Sequence, residues 1–321
     1  MDGIMMGDDY GIVFPGQGSQ KIGMLSDFIA SSSDVNEAFE EASEVLGYDL
    51  LKLSQSGNEA QITMTEVAQP LILTASIAIW RMINSRLDLS PKILAGHSLG
   101  EWSALVCAEV ISFSEAVLLV RNRGKYMQAA VAKEEGAMAA IIGLEDQIIC
   151  SLCDDLSTDL SIVEAVNFNA PGQVVIAGHL AIVEEAIERA MRHGAKRALK
   201  LAVSAPFHTS LMKPAARKLV KDLDEVVFKK PKFKILHNCN CKTEDDPKVI
   251  KALMIEQIYS PVLWSQSIRS MEALGVTRII ECGSGRVLTG LTKRINRDYE
   301  LYSTDTLLNA EETINKIGKN L

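Results

Sequence analysis

The chain has no excess of positive charge: 33 Lys and Arg stand against 41 Asp and Glu, a net charge of −8. A protein that binds nucleic acid needs a basic face to neutralise phosphates, so nucleic acid is not an expected partner. Nor is there a long uninterrupted apolar run. The most apolar stretch, around Pro70 to Trp80, reads as too short and too interrupted to cross a membrane. The start, Met1-Asp2-Gly3-Ile4-Met5-Met6-Gly7-Asp8-Asp9, lacks the basic and apolar regions of a signal peptide. The chain shows no internal repeat and no low-complexity linker. Its six cysteines include Cys150-x-x-Cys153 and Cys239-x-Cys241, but no glycine knuckle accompanies either pair. Cys150 and Cys153 fall in a helix-like segment beside Ile148, Ile149 and Leu152, which favours buried thiols over a metal or redox site. With 47% apolar and 23% charged residues, the composition is that of an ordinary globular enzyme. The expectation is a cytoplasmic monomer with no membrane partner, and 321 residues allow one large domain or two unequal ones.

What is present centres on Gly96-His97-Ser98-Leu99-Gly100. It follows the apolar run Lys92-Ile93-Leu94-Ala95 and precedes the helix-like Glu101-Trp102-Ser103-Ala104-Leu105-Val106. A strand, a sharp turn and a helix with serine at the apex form a nucleophile elbow, and the flanking glycines permit a turn that a Cβ would obstruct. A hydroxyl becomes nucleophilic only when a base takes its proton, and the oxyanion it creates needs donors such as a helix N-terminus. The context points to acyl transfer.

Periodicity and turn residues place this elbow in an alternating strand and helix pattern. Tyr10 to Phe14 reads as a strand ending at Pro15-Gly16; helical patterns run from about Asp34 to Leu46 and from Thr65 to Ile83. Ser112 to Val131 reads as a long helix, with Ser112 as N-cap and Glu115 three residues on. This alternation predicts a parallel sheet covered on both faces. From Gly136 the pattern changes. Ala137 to Leu144, Ser161 to Phe168, Gln173 to Ala177 and Lys196 to Val203 read as strands; Asp146 to Leu156 and Leu180 to His193 read as helices. The order β-α-β-β-α-β is ferredoxin-like, so residues 133–203 are expected to form a small domain inserted between 1–132 and 204–321. Helices near 209–225, 249–259 and 265–274, strands at 234–237 and 277–281, and a helix from Gly285 to Ile295 complete the reading.

Five histidines are available as base: His97, His179, His193, His208 and His237. His97 adjoins the serine on a sharp turn, where neighbouring side chains point apart. His179 and His193 flank a helix and read as surface or capping residues, and His237 as a core histidine. His208 lies on a loop between a strand and a helix, where catalytic groups usually project, and this favours it modestly. Gly283-Ser284-Gly285 precedes a helix but lacks the Gly-Lys-Ser/Thr of a phosphate loop, and reads as a packing turn.

Taken in order, Phe14-Pro15-Gly16-Gln17-Gly18-Ser19-Gln20, Gly96-His97-Ser98-Leu99-Gly100-Glu101 and Ala205-Pro206-Phe207-His208 resemble the signature segments of malonyl-CoA:acyl carrier protein transacylases. Arg123-Gly124, Gly136 to Ala140, Asn167-x-Asn169-x-Pro171-Gly172-Gln173 and Gly283-x-Gly285-x-Val287-Leu288 continue the resemblance. It implies a hydrolase-like α/β core with a ferredoxin-like insert. It implies Ser98 as nucleophile, His208 as base, and the Gln257 carbonyl as the group that orients His208. The backbone N–H groups of Gln17 and Leu99 would form the oxyanion hole. Arg123 would hold the free carboxylate of a malonyl group, with His97 also at the substrate. The implied partners are a coenzyme A thioester and acyl carrier protein, in fatty acid biosynthesis, with no metal or redox cofactor. Trp102 and Ser284 depart from the residues usual at their positions, and Trp102 would shape the wall near Ser98. Lys196, Arg197 and Lys200 form a basic cluster that reads as a solvated edge or as a dock for an acidic carrier protein. The same elbow is also compatible with a serine hydrolase, a non-catalytic carrier-binding module, or a polyketide acyltransferase preferring methylmalonyl or acetyl groups. A hydrolase would need an acid between Ser98 and His208; Asp154, Asp155 and Asp159 lie there, but inside the expected insert.

Overall fold

The structure, a computed structural model, describes residues 9–132, 134–203 and 205–318. Residues 1–8, read above for leader features, lie outside the described residues, as do Lys133 and Ser204 at the expected domain boundaries.

One five-stranded sheet is built from β1 (Tyr10–Phe14), β2 (Ile93–Gly96), β7 (Ile235–Leu236), β8 (Arg278–Glu281) and β9 (Glu300–Ser303), in the order β7-β2-β1-β8-β9. Every pairing in it is parallel. All residues of β1 and β2 are buried, as expected of strands covered on both faces. Phe14 is in register with Gly96, and Val13 with Ala95 and Glu281. The loops that leave β1, β2 and β8 therefore emerge side by side at the carboxyl edge, where open α/β sheets place their sites.

The second sheet runs β4-β5-β3-β6 from β3 (Gly136–Ile142), β4 (Val163–Ala170), β5 (Gln173–His179) and β6 (Arg197–Lys200), all antiparallel. With the helices Asp146–Leu156 and Leu180–Arg192 this is the expected β-α-β-β-α-β order. Alternation along the strands divides its two faces. Ala137, Ala139, Ile141, Val174 and Ile176 pack with Ile149, Leu152 and Val183 of its own helices. Met138, Val166, Val175 and Ala177 join the main core instead. The small sheet is thus seated on the large unit by a hydrophobic face.

Several bounds differ from the sequence reading. β4 extends through Asn169 to Ala170, because Ala170 pairs with Gln173 and leaves only Pro171 and Gly172 (φ 69°) in the turn. β6 ends at Lys200 rather than Val203, since it is an edge strand paired only with β3. The helices Leu50–Ser56, Glu59–Thr63 and Leu307–Gly318, and strand β9, were not anticipated. The Thr65–Leu87 helix spans 23 residues, long and apolar enough by composition to cross a membrane, which corrects the reading from its apolar run alone; most of it is buried inside the protein. Ser112 caps the Phe113–Gln128 helix through a capping box with Glu115, as anticipated.

The Gly283-Ser284-Gly285 turn has a local purpose. Buried Glu281 accepts from Leu288 N–H (3.0 Å), Thr289 N–H (2.7 Å) and Thr289 Oγ–H (2.7 Å) at the start of the Val287–Ile295 helix. The chain's own carboxylate thus occupies the anion-favouring end of this helix. All six cysteines are free, and no cluster of metal-binding side chains occurs among the described residues.

Candidate active site

The elbow is held by close backbone packing. A Cβ on Gly96 would lie 1.9 Å from the Gly100 carbonyl carbon, and one on Gly100 would lie 2.0 Å from the Phe14 oxygen. Neither position tolerates a side chain. Ser98, between them, has φ 51° in the left-handed region, a strained geometry for a residue with a Cβ. Asn238, following β7, stabilises that turn: its Oδ1 accepts from Ser98 N–H at 2.7 Å and its Nδ2 donates to Gly96 C=O at 2.7 Å.

Tertiary packing brings the distant candidates together. Ser98 Oγ lies 2.7 Å from His208 Nε2, and His208 Nδ1 lies 2.8 Å from the Gln257 carbonyl. That carbonyl can only accept, so Nδ1 carries the proton and Nε2 is free to take one from Ser98. His208 is buried, and its basicity is pushed down to about 3, first by desolvation and then by the nearby Arg123 charge. The imidazole is therefore neutral at physiological pH, the form a general base requires.

A mid-helix arginine ordinarily lies on a solvated face, but Arg123 lies on a buried one. It is 1% exposed. Its Nη1 donates to Gln69 Oε1 at 2.9 Å, and its Nη2 donates to Gln257 Oε1 at 2.9 Å and to Ser98 Oγ at 3.1 Å. Its Nε has no partner among the described residues. Gly124 permits this placement, because a Cβ there would strike the Thr65 oxygen at 2.5 Å and push the two helices apart. Burial lowers the Arg123 pKa to about 10, offset in part by the Glu101 charge, so the guanidinium stays cationic. Its neighbours Arg121 and Lys125 remain partly or fully exposed.

Sequence reasoning did not assign the polar network behind these groups. Glu101, fully buried, accepts from His237 Nδ1 (2.7 Å), Gln257 Nε2 (2.7 Å) and Asn238 N–H (3.2 Å). Gln257 Nε2 also donates to Ser98 C=O at 2.9 Å. Gln257 thus acts twice, with its carbonyl on His208 and its side chain bridging Arg123 to Glu101. Glu101 was visible inside the quoted signature; no pattern in the sequence pointed to Gln69 or Asn238. His237 is the buried core histidine anticipated, although its Nε2 lacks a partner among the described residues.

The remaining candidates surround the serine. Leu99 N–H precedes the Gly100–Cys107 helix and meets no acceptor among the described residues; the same holds for Gln17 N–H. A Cβ on Gly16 would lie 2.6 Å from the His97 carbonyl oxygen, so the Gln17 loop passes directly against the elbow. His97 is half-buried, with Nε2 2.8 Å from Asn169 Oδ1 of β4 and its ring 5.6 Å from that of Trp264. Desolvation lowers its pKa. Trp102 is fully buried in the main core. His179 accepts from Ile162 N–H and His193 Nδ1 meets Arg189 C=O, both away from the serine. Lys196, Arg197 and Lys200 are exposed at the β6 edge, with Lys200 paired to Glu184 at 2.8 Å.

A half-buried serine at the apex of a strand-turn-helix elbow, with a buried neutral histidine and a buried arginine at hydrogen-bond distance, is an arrangement chemically able to accept an acyl group. The sequence matches the family described as Acyl transferase domain over residues 12–300. It is 50% identical over 286 residues to the malonyl CoA-acyl carrier protein transacylase of Escherichia coli, covering 89% of this chain and 92% of that one. The fold superposes on the malonyl CoA-acyl carrier protein transacylase of Coxiella burnetii with a TM-score of 0.95 at 39% identity, covering 98% and 99% of the two chains. It also superposes on a malonyl-transacylase solved with a type II polyketide acyl-carrier protein, with a TM-score of 0.94 at 45% identity over 96% and 99%. The chain therefore belongs to the acyl transferase domain family and, within it, to the malonyl CoA-acyl carrier protein transacylases.

Proposed function

We propose that the protein moves a malonyl group from coenzyme A to the phosphopantetheine thiol of acyl carrier protein by way of a malonyl-Ser98 ester. The observation that carries this reading is the buried Arg123 guanidinium 3.1 Å from the Ser98 hydroxyl, which itself lies 2.7 Å from His208. In a malonyl thioester the free carboxylate is separated from the reacting carbonyl by one methylene. An arginine this close to the nucleophile suits that short acyl group, and its planar fork suits the carboxylate.

In the first half-reaction Ser98 Oγ attacks the thioester carbonyl while His208 Nε2 takes its proton. The oxyanion rests on the N–H groups of Gln17 and Leu99. The C–S bond breaks and the leaving thiolate takes the proton from His208. In the second half-reaction the carrier thiol gives its proton to His208 and attacks the ester, and Ser98 recovers the proton as its C–O bond breaks. The Gln257 carbonyl holds the imidazole tautomer throughout without a buried third carboxylate. Proton transfers and backbone donors carry each step, with no metal or redox group taking part.

In this reading residues 1–132 and 204–321 form the acyltransferase unit and 133–203 the small domain. The enzyme supplies extender units for fatty acid biosynthesis in the cytoplasm, and the β6 basic edge is a candidate contact for the carrier protein. Intact-mass measurement after mixing with malonyl-CoA tests the reading. Wild type gains one malonyl group and passes it to a thiol acceptor, whereas Ser98→Ala gains none. Release of free malonate as the main product would instead identify a hydrolase.

A further inference from the structure

Strand β4 of the small sheet touches each segment that carries Ser98, His208 or Gln257. Its Asn169 meets His97 beside the elbow at 2.8 Å. Its Val166 C=O accepts from Val262 N–H at 2.8 Å, and its Phe168 N–H donates to Val262 C=O at 3.0 Å, tying down the chain that follows Gln257. Its Glu164 takes both donors of Ser210, the backbone N–H at 2.9 Å and the hydroxyl at 2.6 Å. We propose that Glu164 is a positioning residue for His208, locking the loop on which the imidazole sits. This rests on the reading of His208 as the base.

The loop needs such a lock. His208 has φ 66°, a conformation that persists in an L-residue only where its surroundings over-determine it. The imidazole must also bridge Ser98 Oγ and the Gln257 carbonyl at 2.7 and 2.8 Å, which leaves little room for displacement. Two anchors follow directly in the chain. Thr209 Oγ–H turns back to Pro206 C=O at 2.7 Å, and Ser210 is clamped by Glu164. Ser210 opens the short 3₁₀ turn Ser210–Met212, where its N–H has no acceptor within the turn, and a carboxylate is a strong one. Glu164 projects from a strand paired with β5, so the support comes from a rigid element. The small sheet thereby sets the base in place.

The test uses the whole chain with Glu164→Ala, Glu164→Gln, Ser210→Ala and His208→Ala, each followed by intact-mass kinetics of Ser98 acylation, steady-state transfer and thermal melting. A displaced base costs about tenfold or more in kcat. Glu164→Ala is expected to lose that much in both half-reactions, because His208 serves both, with KM for malonyl-CoA unchanged. Glu164→Gln keeps an acceptor oxygen and should recover most of the loss. Ser210→Ala should lose less, and adding it to Glu164→Ala should cost less than the sum. Wild-type kcat in Glu164→Ala, with His208→Ala inactive, would overturn the inference and leave the base assignment standing. So would a loss with no rescue by Gln, or one that tracks melting temperature alone. A wild type that never acylates would instead remove the reading on which the inference rests.

Discussion

Replacing Arg123 by alanine separates selection of the acyl group from the chemistry on it. The guanidinium is shielded from water; its Nη1 and Nη2 donate to Gln69, Gln257 and Ser98 Oγ, all within 3.1 Å, while its Nε has no partner among the described residues. A carboxylate arriving there forms a buried, charge-assisted pair. Removing one partner of such a pair costs about 3–5 kcal/mol. Converted at about 1.36 kcal/mol per tenfold, kcat/KM for malonyl-CoA should fall roughly a hundred- to several-thousandfold. Acetyl-CoA brings no anion, and in wild type it leaves a buried cation without one, so acetyl loading should rise a fewfold by roughly the discrimination a pocket gives against a missing polar group. Rapid-quench intact-mass measurement with each thioester gives both rates on one protein. Arg123 also depresses the basicity of His208, so the acid limb of the variant's pH profile should move upward. The reasoning is refuted if malonyl and acetyl loading fall together, since Arg123 would then serve Ser98 and His208 rather than the carboxylate.

Asn238→Ala removes the acceptor of Ser98 N–H and the donor to Gly96 C=O, two buried bonds that hold a strained turn. It should cost about 2–4 kcal/mol by denaturant melting and lower kcat more than KM; unchanged stability and rate would contradict the geometry. Gly100→Ala places a methyl 2.0 Å from the Phe14 oxygen and should yield little folded protein, so a soluble, active variant would count against the elbow packing. The folded pKa of His208 lies below its unfolded value of 6.5, so the unfolded chain takes the proton first. Its contribution to stability is therefore complete above pH 6.5 and is lost as pH falls toward 3. Malonyl loading should accordingly stay flat from about pH 8 down to pH 6. An acid limb centred at or above the ordinary histidine value would show an imidazole open to water.

The elements legible in the sequence were those whose cause is local. The serine elbow follows from two glycines placed where any Cβ would meet backbone. The small sheet follows from period-two strands and one Pro-Gly turn, and the long helix after Ser112 from a capping box. Bounds failed where tertiary pairing decides: β6 ends at Lys200 opposite Ala139 although β3 runs on to Gly136, and β9 exists because β8 offers it an edge. Ser98 was legible from its elbow and His208 was favoured modestly by its loop, whereas Arg123 and Gln257 came from resemblance alone, since their sequence separations carry no local signal. His208 reaches the serine across 110 positions and Arg123 across 25. Tertiary structure alone decided that Arg123 is buried rather than solvated, because a helix pattern cannot say which face a second helix will cover. It alone supplied Gln69, Asn238 and the bridging side chain of Gln257. Composition and motif determined that this chain folds as an α/β acyl-transfer protein with a small inserted sheet. The meeting of Ser98, His208 and Arg123 was decided by packing: the parallel register of β1 and β2 sets the Ser98 elbow beside the Gln17 loop, the Phe113–Gln128 helix brings Arg123 to it, and β4 closes against the loop that carries His208.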